Sequence, residues 1–287
     1  MTDLNRRDFI KGLSITAGAI TVGAGALTLS GCSTKKDKSV STPKEYSILR
    51  VSSDLYKTEL LQRFAFAISR EQKVYTEGNL SVKLTLPDGS TQNIKEVKPR
   101  NKELKSQGIY SFEAVFKTSG QYELQTKYKG QELSLTFAVN EKSLAPALGS
   151  QAISIDSPTN KDHKDAKILC TRFKGECSLH DHTIKEYLSR NEPLVVLFAT
   201  PARCQTSYCG PVLDILEKHA ISDGINAIHI EIYKDETSPD VLDAVLDWGL
   251  PSEPWLFAID KTGKIVKRLD GAFDLSEIED AIASAKK

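Results

Sequence analysis

Neither sign of charge prevails in this sequence, where 38 basic residues meet 38 acidic ones over 287 positions. A balanced chain offers no broad electrostatic attraction to a polyanion, so no nucleic-acid partner and no strongly acidic substrate is expected. Long apolar runs are missing as well. The stretch over residues 13–29 is diluted by Gly, Ala and Thr, and it falls short of the ~20 strongly apolar residues that a membrane span prefers. Residues 47–140 contain neither cysteine nor histidine, which points to a spacer or docking module there rather than a catalytic one. Cysteine is scarce throughout, with five in all, four of them beyond residue 165. The chain is long enough to build two real cores without depending on disulfides for its fold.

What is present begins with an address. Asn5-Arg6-Arg7-Asp8-Phe9-Ile10-Lys11 resembles the twin-arginine export signature, with Arg6 and Arg7 as its paired arginines. Leu29-Ser30-Gly31-Cys32 resembles a bacterial lipobox. The two resemblances imply a signal peptide over residues 1–31, a lipid on Cys32 and a polar tether over residues 32–46. The mature chain is then expected outside the cytoplasm, held to the membrane through Cys32.

Across residues 47–140 apolar residues alternate, as a sheet with one buried face requires. Phe64, Phe66 and Ile68 form one run, and Leu80, Val82, Leu84 and Leu86 form another that ends at Pro87-Asp88-Gly89. Similar runs start at Tyr110, Tyr122 and Leu133, with Gly120 and Gly130 as turns. Short strands with regular turn signals predict an all-β immunoglobulin-like sandwich. Residues 141–165 shift to Ser, Pro, Asp and Lys without periodicity and are expected to link it to a second domain and to lie partly along that domain.

From residue 166 to 287 helical and strand patterns interleave. Residues 183–189 predict a short helix, and Leu194 to Ala199 a buried strand. Val212, Leu213, Ile215, Leu216 and Ala220 give one helical face. A strand over 227–232, a helix over about 239–248, a hairpin around Asp260-Lys261-Thr262-Gly263 and a final helix near 275–285 follow. Pro211 and Pro239 each suit the first turn of a helix, where a missing amide costs nothing. The unbroken run Leu194-Val195-Val196-Leu197-Phe198 predicts a strand with both sheet faces covered.

The densest chemistry lies in FATPARCQTSYCGPV, where Cys204 and Cys209 sit at the junction of that strand and the following helix. A thiol at a helix N-terminus feels the positive end of the macrodipole, which lowers its pKa from about 8.5 toward roughly 3.5–7.5. If the helix starts at Pro211, Cys209 is the more acidic thiol and attacks first, with Cys204 resolving; the reverse assignment stays open. Beyond Cys32 the four cysteines allow three pairings, and the local pairs Cys170–Cys177 and Cys204–Cys209 are expected.

The last 120 or so residues resemble the thioredoxin-like superfamily. Tyr208-Cys209-Gly210-Pro211 matches the start of its active-site motif, and Ser252-Glu253-Pro254-Trp255 stands where the family carries its cis-proline. The wider pattern is similar to exported bacterial thioredoxin-domain lipoproteins with an N-terminal immunoglobulin-like domain. The resemblance implies an α/β thioredoxin-like fold and a site of Cys204, Cys209 and Pro254 supported by Tyr208, Gly210 and Pro211. Val212 replaces the family's second cysteine, so Cys204 must complete the pair.

Around that pair, Glu253 and Arg172 are candidate modulators, with Glu253 expected to point to solvent and Arg172 expected to be solvated, or to stabilise a thiolate if its loop folds over the site. Cys170 and Cys177 are expected to form a structural disulfide. His180 and His182 are expected at caps or on the surface, and no metal site and no cofactor is expected. Trp248 and Trp255 are expected in the core. The leading function is a thiol–disulfide oxidoreductase acting on cysteine-containing exported proteins or a redox partner. The alternative is a copper-binding or docking lipoprotein using a cysteine pair with His219 or His229. A thiol peroxidase fits less well, because Leu197 and Pro201 break that family's motif before Cys204.

Overall fold

The computed structural model describes residues 45–104, 108–204 and 207–287. The export signature, Cys32 and the tether to residue 44 lie outside the described residues. Nine strands come first: β1 (Ser47–Arg50), β2 (Leu61–Arg70), β3 (Lys73–Tyr75), β4 (Leu80–Thr85), β5 (Thr91–Val97), β6 (Pro99–Arg100), β7 (Ile109–Val115), β8 (Gly120–Tyr128) and β9 (Gln131–Val139). One sheet runs β1-β2-β7-β6 with β3 also on β2; the other runs β5-β4-β8-β9. Every pairing is antiparallel.

Between the sheets lies a core of Phe64, Phe66, Ile68, Leu80, Val82, Leu84, Phe112, Leu124 and Phe137. This is a sandwich, as the alternation predicts. In β4 the strand buries Leu80, Val82 and Leu84 and exposes Ser81 and Lys83. Its turn closes where Gly89 takes a φ of 83°, a conformation that glycine adopts without a Cβ penalty.

β2 departs from simple alternation, because eight consecutive residues, Gln62 to Ser69, are buried. Phe64, Phe66 and Ile68 enter the sandwich core, whereas Ala65 and Ala67 on the opposite face enter the core of the second unit. The two units therefore share a packed boundary.

Residues 141–165 are not a free linker. Ala152 N–H donates to the Gly263 carbonyl at 2.8 Å, Lys185 N–H donates to that of Ile155 at 3.0 Å, and Leu148, Ile153 and Ile155 pack on the second core.

The second unit comprises α1 (Ile184–Ser189), β10 (Leu194–Phe198), α2 (Cys209–Asp223), β11 (Asn226–Ile230), α3 (Asp243–Asp247), β12 (Trp255–Ile259), β13 (Ile265–Asp270) and α4 (Leu275–Ala285). Its mixed sheet runs β11-β10-β12-β13. β10 is parallel to β11 and antiparallel to β12, which pairs antiparallel with β13. Val195 and Leu197 face α2 and α4; Leu194, Val196 and Phe198 face the side that holds Ile184, Val245 and Trp248. That two-sided burial is why β10 carries no polar residue.

One helix is shorter than its pattern predicts. α3 starts at Asp243, leaving Pro239 in coil rather than in a first helical turn, because the Tyr233–Val241 bridge holds the preceding segment extended.

Polar groups weld the boundary. Arg63 of β2 donates from Nε to Glu277 at 2.6 Å and from Nη2 at 3.1 Å, and from Nη1 to the Asp270 carbonyl at 2.9 Å. Ser111 donates to the same Glu277 carboxylate at 2.7 Å. Arg268 pairs with Asp54 at 2.7 Å. Gly271 sits so near Val51 that a Cβ there would lie 2.6 Å from its side chain and 2.8 Å from its carbonyl oxygen.

Candidate functional site

α2 begins at Cys209, with Tyr208 at its N-cap and no side-chain cap hydrogen bond. The first amides of a helix lack intrahelical partners. Here the Cys209 N–H donates to the Cys204 sulfur at 3.3 Å, so Cys204 takes the place of a capping side chain. Pro211 falls in the first turn, as expected. Cys204 is half-buried, whereas Cys209 is fully buried.

The condition set for an acidic Cys209, a helix starting at Pro211, is not met. Burial pushes the Cys209 thiol well above its ordinary range, reinforced by its hydrogen bond to Cys204 and by the charges of Cys204 and Glu253; the Thr200 amide only partly opposes them. The helix starts two residues before Pro211, which places Cys209 inside the first turn and gives the amide end to Cys204. Burial also raises the Tyr208 hydroxyl to about 12.

The peptide bond between Glu253 and Pro254 is cis, immediately before β12. Glu253 is 5 % exposed, which overturns its expected solvent position; its charge acts on Cys209. Ser252 beside it donates to Ser53 at 2.8 Å, so a segment of the sandwich unit reaches this loop.

Arg172 is corrected too. It pairs with Glu217 and, at 3.3 Å, with Asp214 of α2, and donates to the carbonyls of Gly175 and Glu176 at 3.0 and 3.1 Å. These bonds commit it to bracing its own loop against the helix flank.

That loop holds a second cluster. Cys170, Cys177, His180 and His229 are all buried, and their ligand atoms all lie within 4.8 Å of one another. The Cys177 sulfur is 3.2 Å from His180 Nε2 and 3.4 Å from His229 Nδ1. The structure brings Cys170 and Cys177 together as the local pairing anticipates, but as thiols, with two imidazoles against them. The hydrogen bond between the two sulfurs lowers Cys170 and raises Cys177; burial pushes both upward, and the imidazoles add to the lowering of Cys170.

Sequence alone did not bring these four together: His180 was expected at a cap or on the surface, and His229 only as a ligand beside the Cys204–Cys209 pair. The spacing Cys170-x6-Cys177-x2-His180 was one signal, and a lone histidine inside the apolar strand Asn226–Ile230 was the other. His182 stands apart, 3.1 Å from Glu186 in the first turn of α1. His219 lies 3.6 Å from Glu103. Trp248 and Trp255 are core residues, as expected.

The two cysteine clusters are adjoining. Thr171 accepts from the Ala202 amide at 3.1 Å and donates to Glu231 at 2.8 Å, tying the residue after Cys170 to the loop that carries Cys204. Among the described residues, no helix is long and apolar enough to cross a membrane. No family model matches the chain, and no curated protein matches it.

Proposed function

We propose that this protein is a thiol–disulfide oxidoreductase in which Cys204 attacks and Cys209 resolves. The observation that carries the reading is the asymmetry of the pair. A half-buried sulfur accepts the helix-start amide of Cys209, while its partner lies buried beneath it with a raised pKa. An amide aimed at a sulfur stabilises the thiolate, so Cys204 is the nucleophile at neutral pH.

The Cys204 thiolate attacks one sulfur of a substrate disulfide, forming a mixed disulfide and releasing the other sulfur as a thiolate. Cys209 then loses its proton and attacks Cys204. The Cys204–Cys209 bond forms and the second substrate sulfur leaves. Two electrons pass from the enzyme to the substrate, and the reverse sequence oxidises a dithiol. Burial keeps Cys209 protonated until the mixed disulfide removes the Cys204 charge beside it.

The α/β unit is read as thioredoxin-like. Support comes from its β11-β10-β12-β13 order, the helices on both faces, the cysteines at the first residue of α2 and before it, and the cis bond ahead of β12. The sandwich is read as immunoglobulin-like. The resemblances at Arg6, Arg7 and Cys32 support an exported, lipid-anchored protein whose partners are cysteine-containing exported proteins. The copper-handling alternative, in which His219 or His229 joins the Cys204–Cys209 pair, is less favoured, since His229 is grouped with Cys170, Cys177 and His180 and His219 lies 3.6 Å from Glu103.

The test is turnover of a model disulfide by the purified chain. Cys204→Ser is expected to abolish it, and Cys209→Ser to accumulate the mixed disulfide on Cys204. Activity that persists in the double variant defeats the proposal.

A further inference from the structure

We propose that Cys170, Cys177, His180 and His229 form a closed four-ligand zinc site that pins the loop carrying Cys204. Two thiolates and two imidazoles are the donor set of structural zinc sites, and all four positions are filled by protein, as in a structural rather than a catalytic site. A tetrahedral ion with bonds of about 2.3 Å to sulfur and about 2.0 Å to nitrogen sets its ligands roughly 3.3–3.8 Å apart. The sulfur-to-nitrogen distances of 3.2 and 3.4 Å stand at the short end of that spacing, and all four ligand atoms lie within 4.8 Å of one another, so small side-chain shifts complete the tetrahedron.

The surroundings fit as well. The Ala199 carbonyl can only accept, so His229 Nε2 carries a proton. Nδ1 is then the nitrogen that faces Cys177, its lone pair available to an ion. A ligand histidine held through its other nitrogen by a carbonyl is the usual outer arrangement at zinc. Two thiolates neutralise a divalent cation, and a neutral assembly suits residues exposed by 4 % at most.

A Cys170–Cys177 disulfide explains less. It would remove the thiol protons and leave two buried imidazole nitrogens against poor hydrogen-bond partners, a cost that a bound cation removes.

The ion would act on its neighbour through two bonds. Ala199 follows β10 directly and Ala202 lies in the loop that carries Cys204; the first accepts from His229, and the second donates to Thr171. Holding two of the four cysteines as zinc thiolates also keeps them out of exchange with Cys204 and Cys209.

Elemental analysis and native mass spectrometry of the full chain, purified without added metal under mild reductant, test this. One zinc per chain is expected. It is expected to be lost in His180→Ala and His229→Ala, and kept in His219→Ala and in Cys204→Ser/Cys209→Ser, so the result is independent of redox activity. Cobalt substitution of the wild-type chain covers the case in which the histidine variants do not fold; a tetrahedral spectrum with thiolate-to-cobalt charge transfer is expected. A metal-free chain with a Cys170–Cys177 bond, zinc that follows Cys204 and Cys209, or an octahedral cobalt spectrum overturns the proposal.

Discussion

At the scale of single residues, the account depends on two sulfurs placed in unlike surroundings by one turn of helix. Cys204 receives an amide and is half-buried, while Cys209 receives burial and two neighbouring charges. Glu253 supplies one of those charges from the loop before β12. Its negative charge disfavours a second anion nearby and so raises the Cys209 pKa. Glu253→Gln is therefore expected to lower that pKa, shifting the pH dependence of Cys209 thiolate absorbance in a Cys204→Ser background toward neutrality. An unchanged profile would show that burial alone sets the shift. A group whose folded pKa is raised stabilises the fold below its unfolded value, about 8.5 for a thiol. Cys209 thus contributes stability that is lost as pH climbs through its folded pKa.

At the scale of elements, β2 explains what alternation could and could not reveal. Phe64, Phe66 and Ile68 announced one buried face. Ala65 and Ala67 between them are small enough to be read as either exposed or buried, and the structure buries both against the second unit. Ala67→Leu is expected to cost about 1–3 kcal/mol in denaturant unfolding by overpacking that face; a solvent-facing position would show almost none. The Cys204–Cys209 pair was legible because both cysteines lie within one strand-to-helix junction. The zinc-type cluster was not, since His229 joins Cys177 across 52 residues, and only the parallel placement of β11 beside β10 brings it in. The order of the two sulfurs stayed open for a local reason, because it turns on where the helix begins. α2 starts at Cys209 and not at Pro211, a shift of two residues that transfers the helix-start amide from one sulfur to the other.

At the scale of the whole molecule, the sandwich is built into the second unit by buried ions. Glu277 caps α4 with Asp274 and also receives Arg63 and Ser111. Burial alone would raise its pKa, but the Arg63 charge and the hydrogen bonds from Arg63 and Ser111 outweigh it and hold the carboxyl below its usual range. A lowered carboxyl pKa contributes stability above the unfolded value of about 4.3, and that contribution is lost as pH falls through the folded value. Acid unfolding is expected to begin below about pH 4. Glu277→Gln is expected to be less stable near neutrality by about 3 kcal/mol, because the buried Arg63 loses its nearest carboxylate and keeps only Asp270 at 3.7 Å, and to show a flatter acid limb in chemical unfolding.

Disulfide mapping by mass spectrometry across a glutathione redox titration of the native chain probes the central claim most directly. One bond is expected, Cys204–Cys209, that opens and closes as a two-electron couple, with Cys204 alkylated before Cys209 once it is open. A Cys204–Cys209 bond that never forms, or that yields to reductant only after the chain is unfolded, would contradict it.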